Sequence, residues 1–400
     1  MMLKLFKFLL LILILSSIEA KSIIENAEDG NVSKWEIVSG DEGDVIYLYD
    51  NELNSTVVEF LGGGSYKIGA TNGDKAFNIT EDKTISWKMK TTVPYTIYVI
   101  TQTTNGLRYL FYVSSPNRGL LHGFENGIHH GLGNNTLNNR WRTVTRDLTR
   151  DLQDAEPNNE LIAINGFIYN GGNNGKLDDI TLYTPLNKDY ITDTISIDNN
   201  YTIDINNSDF HILQWQIKDF GEANVIDDRF IINDINACEF KVKVDTTNGS
   251  RELIYTLGEE DLGILNNGKT IHHALGDDRT IGSVWIGDDP INELGLWQGI
   301  TRDLQEDIRD YEHNNSLISI NSFEIKGSGS IKELKLISSV DMNISQNEEL
   351  EDNTTTNSSS SSNSVGDIKT FLLFQIIYLL LIIFFLSQKS KFLKKNKGLL

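Results

Sequence analysis

Histidine is the side chain most ready for proton chemistry near neutral pH, and this chain has seven of them. Four stand in two adjacent pairs, IHHGLG at 128–133 and IHHALG at 271–276. Such a pair could ligate a metal, serve as a catalytic couple, or mark one unit of a repeat. Neighbouring residues on a strand point to opposite faces, so His129 and His130 are badly placed to chelate one ion together. A zinc site would need further ligands. The chain has one cysteine, Cys238, and His122, His211 and His313 lie at unmatched positions. A catalytic histidine would need a partner in register, which the sequence does not identify.

The spacing of other segments favours the repeat. TTNGLRYLFY (103–112) matches TTNGSRELIY (246–255) at an offset of 143, the offset of the histidine pairs. WRTVTRDL (141–148) matches WQGITRDL (297–304), and LIAINGF (161–167) matches LISINSF (317–323), both at an offset of 156. Copy two therefore carries 13 extra residues between its histidines and Trp297. A second insertion is expected near 219–233, because ISWKMK (85–90) resembles LQWQIK (213–218) at a smaller offset. The duplication runs over 21–185 and 192–340.

The elements that must position these residues read as strands. YTIYVITQ (95–102) and FKVKVDTT (240–247) alternate and are rich in β-branched and aromatic residues. Asn-Gly and Gly-rich breaks separate such runs. TRDLTRDLQDAEPNN offers the one short helix of copy one, with a counterpart in copy two. Long amphipathic helices between strands, which parallel βαβ units require, are absent. The expected fold is all-β, two tandem jelly-roll β-sandwich domains. Trp87, Trp215, Trp141 and Trp297 occupy matching positions and are expected in the cores. Arg108/Arg251, Arg146/Arg302 and Asp147/Asp303 recur in both copies, which favours a scaffold role.

The ends read differently. Residues 1–20 have Lys4 and Lys7, an apolar run and a small residue at Ala20, the pattern of a secretory signal peptide. From 341 the chain turns acidic and then Ser/Thr/Asn-rich to 367, a stalk without the means to bury apolar surface. Residues 368–387 are apolar over the length of a single membrane-spanning helix. The basic tail 388–400 would lie in the cytoplasm by the positive-inside rule. These features predict a single-pass membrane protein at the cell surface, its N-terminal part extracellular.

The chain has 35 basic and 56 acidic residues, a net charge of −21. Eight of the basic residues sit in the two terminal segments, so the displayed part is more acidic still. Such a surface repels nucleic acid and anionic membranes and suits neutral sugars, cations or plain solubility. A lone cysteine permits no internal disulfide, so the exported domains must rest on core burial.

Candidate contacts for a ligand are Tyr98, Gln102, Arg108, Tyr112, His129 and His130 in copy one. Trp285 in copy two sits in GSVWIGDD between glycines and aspartates. Copy one opens with NAEDGNVSKW (26–35) and closes with GKLDDITLY (175–183). With the internal order WRTVTRDL…INGF…LDDI, copy one resembles the carbohydrate-binding-module-like jelly rolls of the galactose-binding-like superfold, and looks most like the domain found beside some agarases. The resemblance covers nearly all of copy one and about two-thirds of copy two, which lacks the opening motif and has IKEL in place of LDDI. It implies a structural calcium ion (Ca2+) near the two ends of copy one, with Glu28 and Asp179 at the matching positions, and none in copy two. No catalytic motif is present: there is no G-x-S-x-G, H-E-x-x-H or phosphate loop.

The sequence thus points to a surface-anchored, non-catalytic protein that recognises extracellular polysaccharide or a cell-surface glycan, or adheres through one. Two alternatives are a structural spacer or protein-contact module, and a polysaccharide-active enzyme. Exposed aromatics on one sheet face would favour binding, smooth polar faces the spacer, and a cleft with two opposed acids the enzyme.

Overall fold

The computed structural model describes residues 21–39, 43–114, 119–120, 126–218, 223–226, 229–232, 239–256, 261–265, 267–275, 285–286, 289–290 and 297–340. The leader, stalk, membrane segment and tail read from the sequence lie outside these residues, as does Cys238. No helix of the described residues is long and apolar enough to cross a membrane.

Copy one begins with β1 (Ser22–Glu25), β2 (Glu36–Ser39), β3 (Asp44–Asp50), β4 (Ser55–Leu61), β5 (Gly64–Gly69) and β6 (Thr84–Lys90). It continues with β7 (Tyr95–Thr103), β8 (Gly106–Val113), β9 (Gly119–Leu120), β10 (Gly127–Gly131), β11 (Arg142–Asp147), helix α1 (Leu148–Ala155), β12 (Leu161–Gly171) and β13 (Gly175–Tyr183). One sheet runs β11-β6-β13-β4-β3, with β1 added against β13. The other, called here the front sheet, runs β2-β5-β12-β7-β8-β10-β9.

Copy two contains β14 (Asn187–Ile191), β15 (Ile195–Ile197), β16 (Asn200–Asn207), β17 (Ile212–Lys218), β18 (Ala223–Ile226), β19 (Arg229–Ile232), β20 (Glu239–Thr246) and β21 (Gly249–Thr256). Then come β22 (Gly263–Ile264), β23 (Thr270–Ala274), β24 (Trp285–Ile286), β25 (Asp289–Pro290), β26 (Gln298–Asp303), α2 (Leu304–Tyr311), β27 (Leu317–Lys326) and β28 (Gly329–Ile337). Its sheets run β14-β28-β17-β26, with β15 on β28, and β16-β27-β20-β21-β23-β22. Strand β14 already pairs with β28, so the second sandwich begins at Asn187, five residues before the sequence boundary at Thr192.

The strands form where the alternation is cleanest: β20 alternates half-buried and buried along its whole length. Each copy closes its own core. Trp87, Phe60, Tyr169 and Phe167 fill the first, and Trp215, Phe240 and Phe323 the second. Trp87 and Trp215 are fully buried as expected. Trp141 and Trp297 are not core residues: both are half-buried, and Lys332 Nζ lies 4.6 Å from the Trp297 ring centre. Each precedes the strand that forms its sheet's edge, β11 or β26, where only one side of the ring can be covered.

The helix of each copy is capped by an aspartate. Asp147 accepts from Arg150 N, and Asp303 accepts from Gln305 N and Glu306 N, satisfying donors left open in the first turn. The two sandwiches meet through β11, α1, β26 and α2. Asp154 Oδ1 accepts from Gly299 N of copy two, while Asp310 of copy two takes Arg142 and Asn135 of copy one. Asp154 and Asp310 are repeat equivalents, so the contact is close to isologous. Gly299 allows the approach: a Cβ there would meet Asp154 Oδ1 at 3.1 Å and Arg150 Cδ at 3.2 Å.

Candidate functional site

The hairpin β7–β8 turns over Thr104–Asn105, with Thr103 opposite Gly106, whose φ of +95° only glycine adopts readily. That short turn fixes every later pair and places Tyr98 opposite Phe111. The same row continues across neighbouring strands as Glu36, Lys67, Ile168, Tyr98, Phe111 and His129. Six strands at about 4.8 Å spacing make a row roughly 24 Å long. Tyr98 meets Phe111 edge-on at 4.4 Å, and Phe111 meets His129 at 5.3 Å and Tyr109 at 6.4 Å. Tyr98, Tyr109 and His129 are half-buried, and Phe111, 6 % exposed, is buried among them; together they form an aromatic platform on the outer face of the front sheet. Gln102 lies on that face, further along β7. Burial lowers the pKa of His129, so its ring is neutral at physiological pH.

The platform gathers three of the residues singled out by sequence: Tyr98, Gln102 and His129. It excludes three others, and strand alternation is the reason. Arg108, Leu110 and Tyr112 share the inner face of β8. Tyr112 is fully buried and His130 is 2 % exposed, so neither can meet a ligand while the sandwich is closed. Arg108 is bidentate to Glu156 at the sandwich rim. Trp285 falls in β24, where only the backbone is described. Phe111 and Tyr109 were missed. The signal that could have found them was the hairpin register, since the two-residue turn alone makes Tyr98 and Phe111 partners.

The histidine that turns inward joins a network present in both copies. Asp151 accepts from Tyr112 Oη at 2.6 Å and from Arg146 Nε at 2.9 Å, while Arg146 Nη2 takes its other oxygen. His130 Nε2 lies 3.0 Å from Asp151 O and its ring stacks on Tyr112 at 5.7 Å. Copy two repeats this with Tyr255, Arg302, Asp307 and His273, at 2.6 Å for Tyr255 to Asp307 and 3.1 Å for His273 to Asp307 O. The recurring arginines and aspartates do not pair with one another: Arg146 and Arg302 bind Asp151 and Asp307 inside the helix, while Asp147 and Asp303 cap it.

Burial opposes the charge on Asp151, but Arg146 and His130 outweigh it and hold the carboxyl below its ordinary range. Burial and the neighbouring Asp151 push Tyr112 well up, so its hydroxyl stays a donor. His130, Asp151 and Asp154, like His273, Asp307 and Asp310, bring potential ligand atoms within 4.8 Å of one another. A cation there would sit against a guanidinium that already binds both oxygens of the central aspartate. These sets are built as ion networks and do not suit a metal.

The ends of copy one hold a different arrangement. Glu25 is buried and accepts from Ala27 N, Trp35 Nε1 and Tyr47 Oη. Glu28 accepts from Ser55 Oγ at 3.3 Å and Thr56 N at 3.0 Å. A bulge in β13 follows Asp178, and Asp179 has φ of +50°. The bulge turns Asp179 to Lys88, at 2.7 Å. Asp178 instead is fully buried beside Ser55, and its Oδ2 has no partner among the described residues. Burial and the charge of Asp179 push its carboxyl up to about 7. Copy two keeps the bulge, with Glu333 at φ +50°, but Lys332 pairs with Gln216 where Asp178 pairs with Lys88.

Between the copies lies a cleft of about 80 Å³. Copy one lines it with Asn135, Arg142 and Thr145, copy two with Thr301, Arg302, Asp303 and Glu306. Burial and the charge of Asp303 push Glu306 up to about 7.

Comparison with known proteins bears on the fold. Residues 54–159, about a quarter of the chain and all within copy one, match the model of the D-glucuronyl C5-epimerase β-sandwich domain. No curated protein matches the chain. Among solved structures, the chain is similar to the family 11 carbohydrate-binding module of cellulase Lic26A-Cel5E of Clostridium thermocellum, at 14 % identity over 41 % of this chain and 94 % of the module, TM-score 0.22. It is similar to the CBM27-1 module of Caldicellulosiruptor saccharolyticus in complex with mannohexaose, at 12 % identity over 41 % of this chain and 96 % of the other, TM-score 0.25. An exo-beta-agarase matches at 11 % identity over 41 % of this chain and 25 % of its own, TM-score 0.22. The matched family model is that of a β-sandwich domain, the fold that the sequence resemblance implied for copy one.

Proposed function

We propose that the protein is a non-catalytic glycan-binding protein, displayed at the cell surface on a single C-terminal membrane helix. The observation that carries this reading is the aromatic platform of Tyr98, Phe111, Tyr109 and His129 on the front sheet of copy one. Aromatic faces stack on the apolar face of a sugar ring, and flanking polar groups such as Gln102 and Lys67 take its hydroxyls. A flat row across six strands suits an extended chain. The matched sandwich model comes from an enzyme named for acting on D-glucuronyl groups, which agrees with a polysaccharide setting. The acidic, exported character read from the sequence favours a neutral polysaccharide.

Calcium is part of the same proposal. A buried carboxylate oxygen without a partner, Asp178 Oδ2, is what a cation site leaves behind, and Glu28 approaches the same Ser55 from the other chain end. Hard oxygen donors of this kind suit calcium. Asp178 and Glu28 would hold the ion, Asp179 being tied to Lys88, and the ion would brace the chain ends without touching the platform.

A glycan array probed with the protein tests the reading. Binding to at least one polysaccharide that falls more than tenfold in Tyr98→Ala supports it. Absence of binding at high protein concentration, with the circular dichroism of a folded β-protein, would leave copy one to the spacer reading. That second reading already suits copy two, whose corresponding face is closed by its own ion pairs.

A further inference from the structure

We propose that the cleft between the two copies is a second ligand site, which takes one edge of a neutral sugar unit through its hydroxyls. The cleft is mostly polar, with Leu132 and Val144 as its apolar lining. Arg142 is about nine-tenths buried. Its Nη2 binds Asp310 Oδ1 and Asn135 O, but its Nε has no partner among the described residues. A buried donor of this kind costs free energy until it is satisfied. Thr301 Oγ1 accepts from Gln214 Nε2 at 3.3 Å, which leaves its own proton to donate. Glu306, 14 % exposed at its side chain, has one side-chain hydrogen-bond donor among the described residues, Arg309 Nη1 at 3.5 Å.

The charges decide the class of ligand. Arg142, Arg146 and Arg302 line the cleft and disfavour a cation. Asp303 and Asp307 line it too and disfavour an anion. A hydroxyl suits both, since it accepts from a guanidinium and donates to a carboxyl group. The raised pKa of Glu306 supports this, because a neutral carboxyl group can donate to one hydroxyl and accept from another. Size decides how much enters. Pockets for whole small ligands measure roughly 300–1,000 Å³, so about 80 Å³ admits part of one ring while the rest stays outside. The cleft therefore suits a chain end or a branch, whereas the platform suits a chain interior. Both copies build it, which gives the fixed tandem packing a use that neither sandwich has alone.

Saturation-transfer NMR on the full chain tests this, with methyl α- and β-glycosides of glucose, galactose and mannose as probes. The background is Tyr98→Ala, which removes the platform and separates the two proposals. The expected result is a signal from at least one glycoside in that background. The signal should fall at least tenfold in Thr301→Val, which is isosteric, and in Glu306→Gln. No signal from any glycoside in the Tyr98→Ala protein would overturn the proposal, as would a signal that both cleft variants leave unchanged while the thermal transition stays in place.

Discussion

In copy one Tyr98, Phe111 and Tyr109 stand where Lys241, Ile254 and Glu252 stand in copy two. Ile168 likewise corresponds to Glu324. The front sheet of copy one is therefore aromatic, while that of copy two is laced by Lys241 to Glu239 and Glu252, each at 3.7 Å, and by Lys243 to Glu324. The inner faces did not diverge in this way. Tyr112, His130, Arg146 and Asp151 superpose in role on Tyr255, His273, Arg302 and Asp307. Side chains that satisfy one another in the core cannot change singly without leaving a charge unpaired, whereas an outer position is free to trade a ring for a charge. The difference teaches which residues the scaffold holds fixed and which it leaves free to change.

The histidine pair shows this within two residues. His130 and His273 face inward and are interchangeable. His129 meets Phe111 on the platform, but His272 is 7 % exposed, with Nε2 2.8 Å from Thr256 Oγ1 and Nδ1 accepting from Leu262 N. The same motif thus ends in the aromatic platform in one copy and a loop clamp in the other.

The largest effect should come from the shared network. Arg146→Leu leaves Asp151 buried and unpaired, and Arg302→Leu does the same to Asp307. Each should cost about 3–5 kcal/mol, read as a lowered denaturation midpoint. A loss confined to copy one would break the claim that the networks are equivalent.

Ligand binding should divide the copies next. Tyr98→Ala should weaken glycan binding by more than tenfold, about 1.4 kcal/mol or more, with little change in stability. Lys241→Ala, its counterpart, should leave binding unchanged in the same titration.

Calcium should act on copy one alone. At a hundredfold excess over its dissociation constant the ion should add about 2.7 kcal/mol, seen as a rise in melting temperature. Asp178→Asn should abolish the rise, and Lys332→Ala should leave it intact.

The last of these effects concerns pH. Glu306 is held at about 7, above its ordinary 4.5, so the folded protein binds this proton more tightly than the unfolded chain. Its contribution is complete below about pH 4.5 and is lost as pH rises through about 7, an effect of roughly 3 kcal/mol. Urea titrations at pH 5 and pH 8 should show it, and Glu306→Gln should reduce the difference. Copy one has Arg150 in the equivalent position, paired with Glu333, so its own dependence comes from Asp178, also held at about 7, and should survive Glu306→Gln.

Much of this was written in the chain. The duplication followed from matched segments at constant offsets, the β-structure from alternation, and each helix from a short polar run headed by aspartate. That the two histidines of a pair face opposite ways followed from strand geometry alone; which of them turns inward did not. Even the pairing of Tyr98 with Phe111 was implicit in a two-residue turn, because a hairpin's register is a local property.

What tertiary structure decided involves groups brought together by separate elements. Arg146 passes over its neighbour Asp147 for Asp151, because the helix turn carries Asp151 into the core beside Tyr112 and leaves Asp147 as the cap. Asp178 is buried while Asp179, the residue that the resemblance matched to a calcium ligand, turns to Lys88, because a one-residue bulge exchanges the faces of the strand. The cleft with Arg142 and Glu306 exists only once two sandwiches pack edge to edge. Sequence periodicity carries information about one element and its immediate partner; the identity of a third neighbour depends on how whole sheets stack, and no local pattern encodes it.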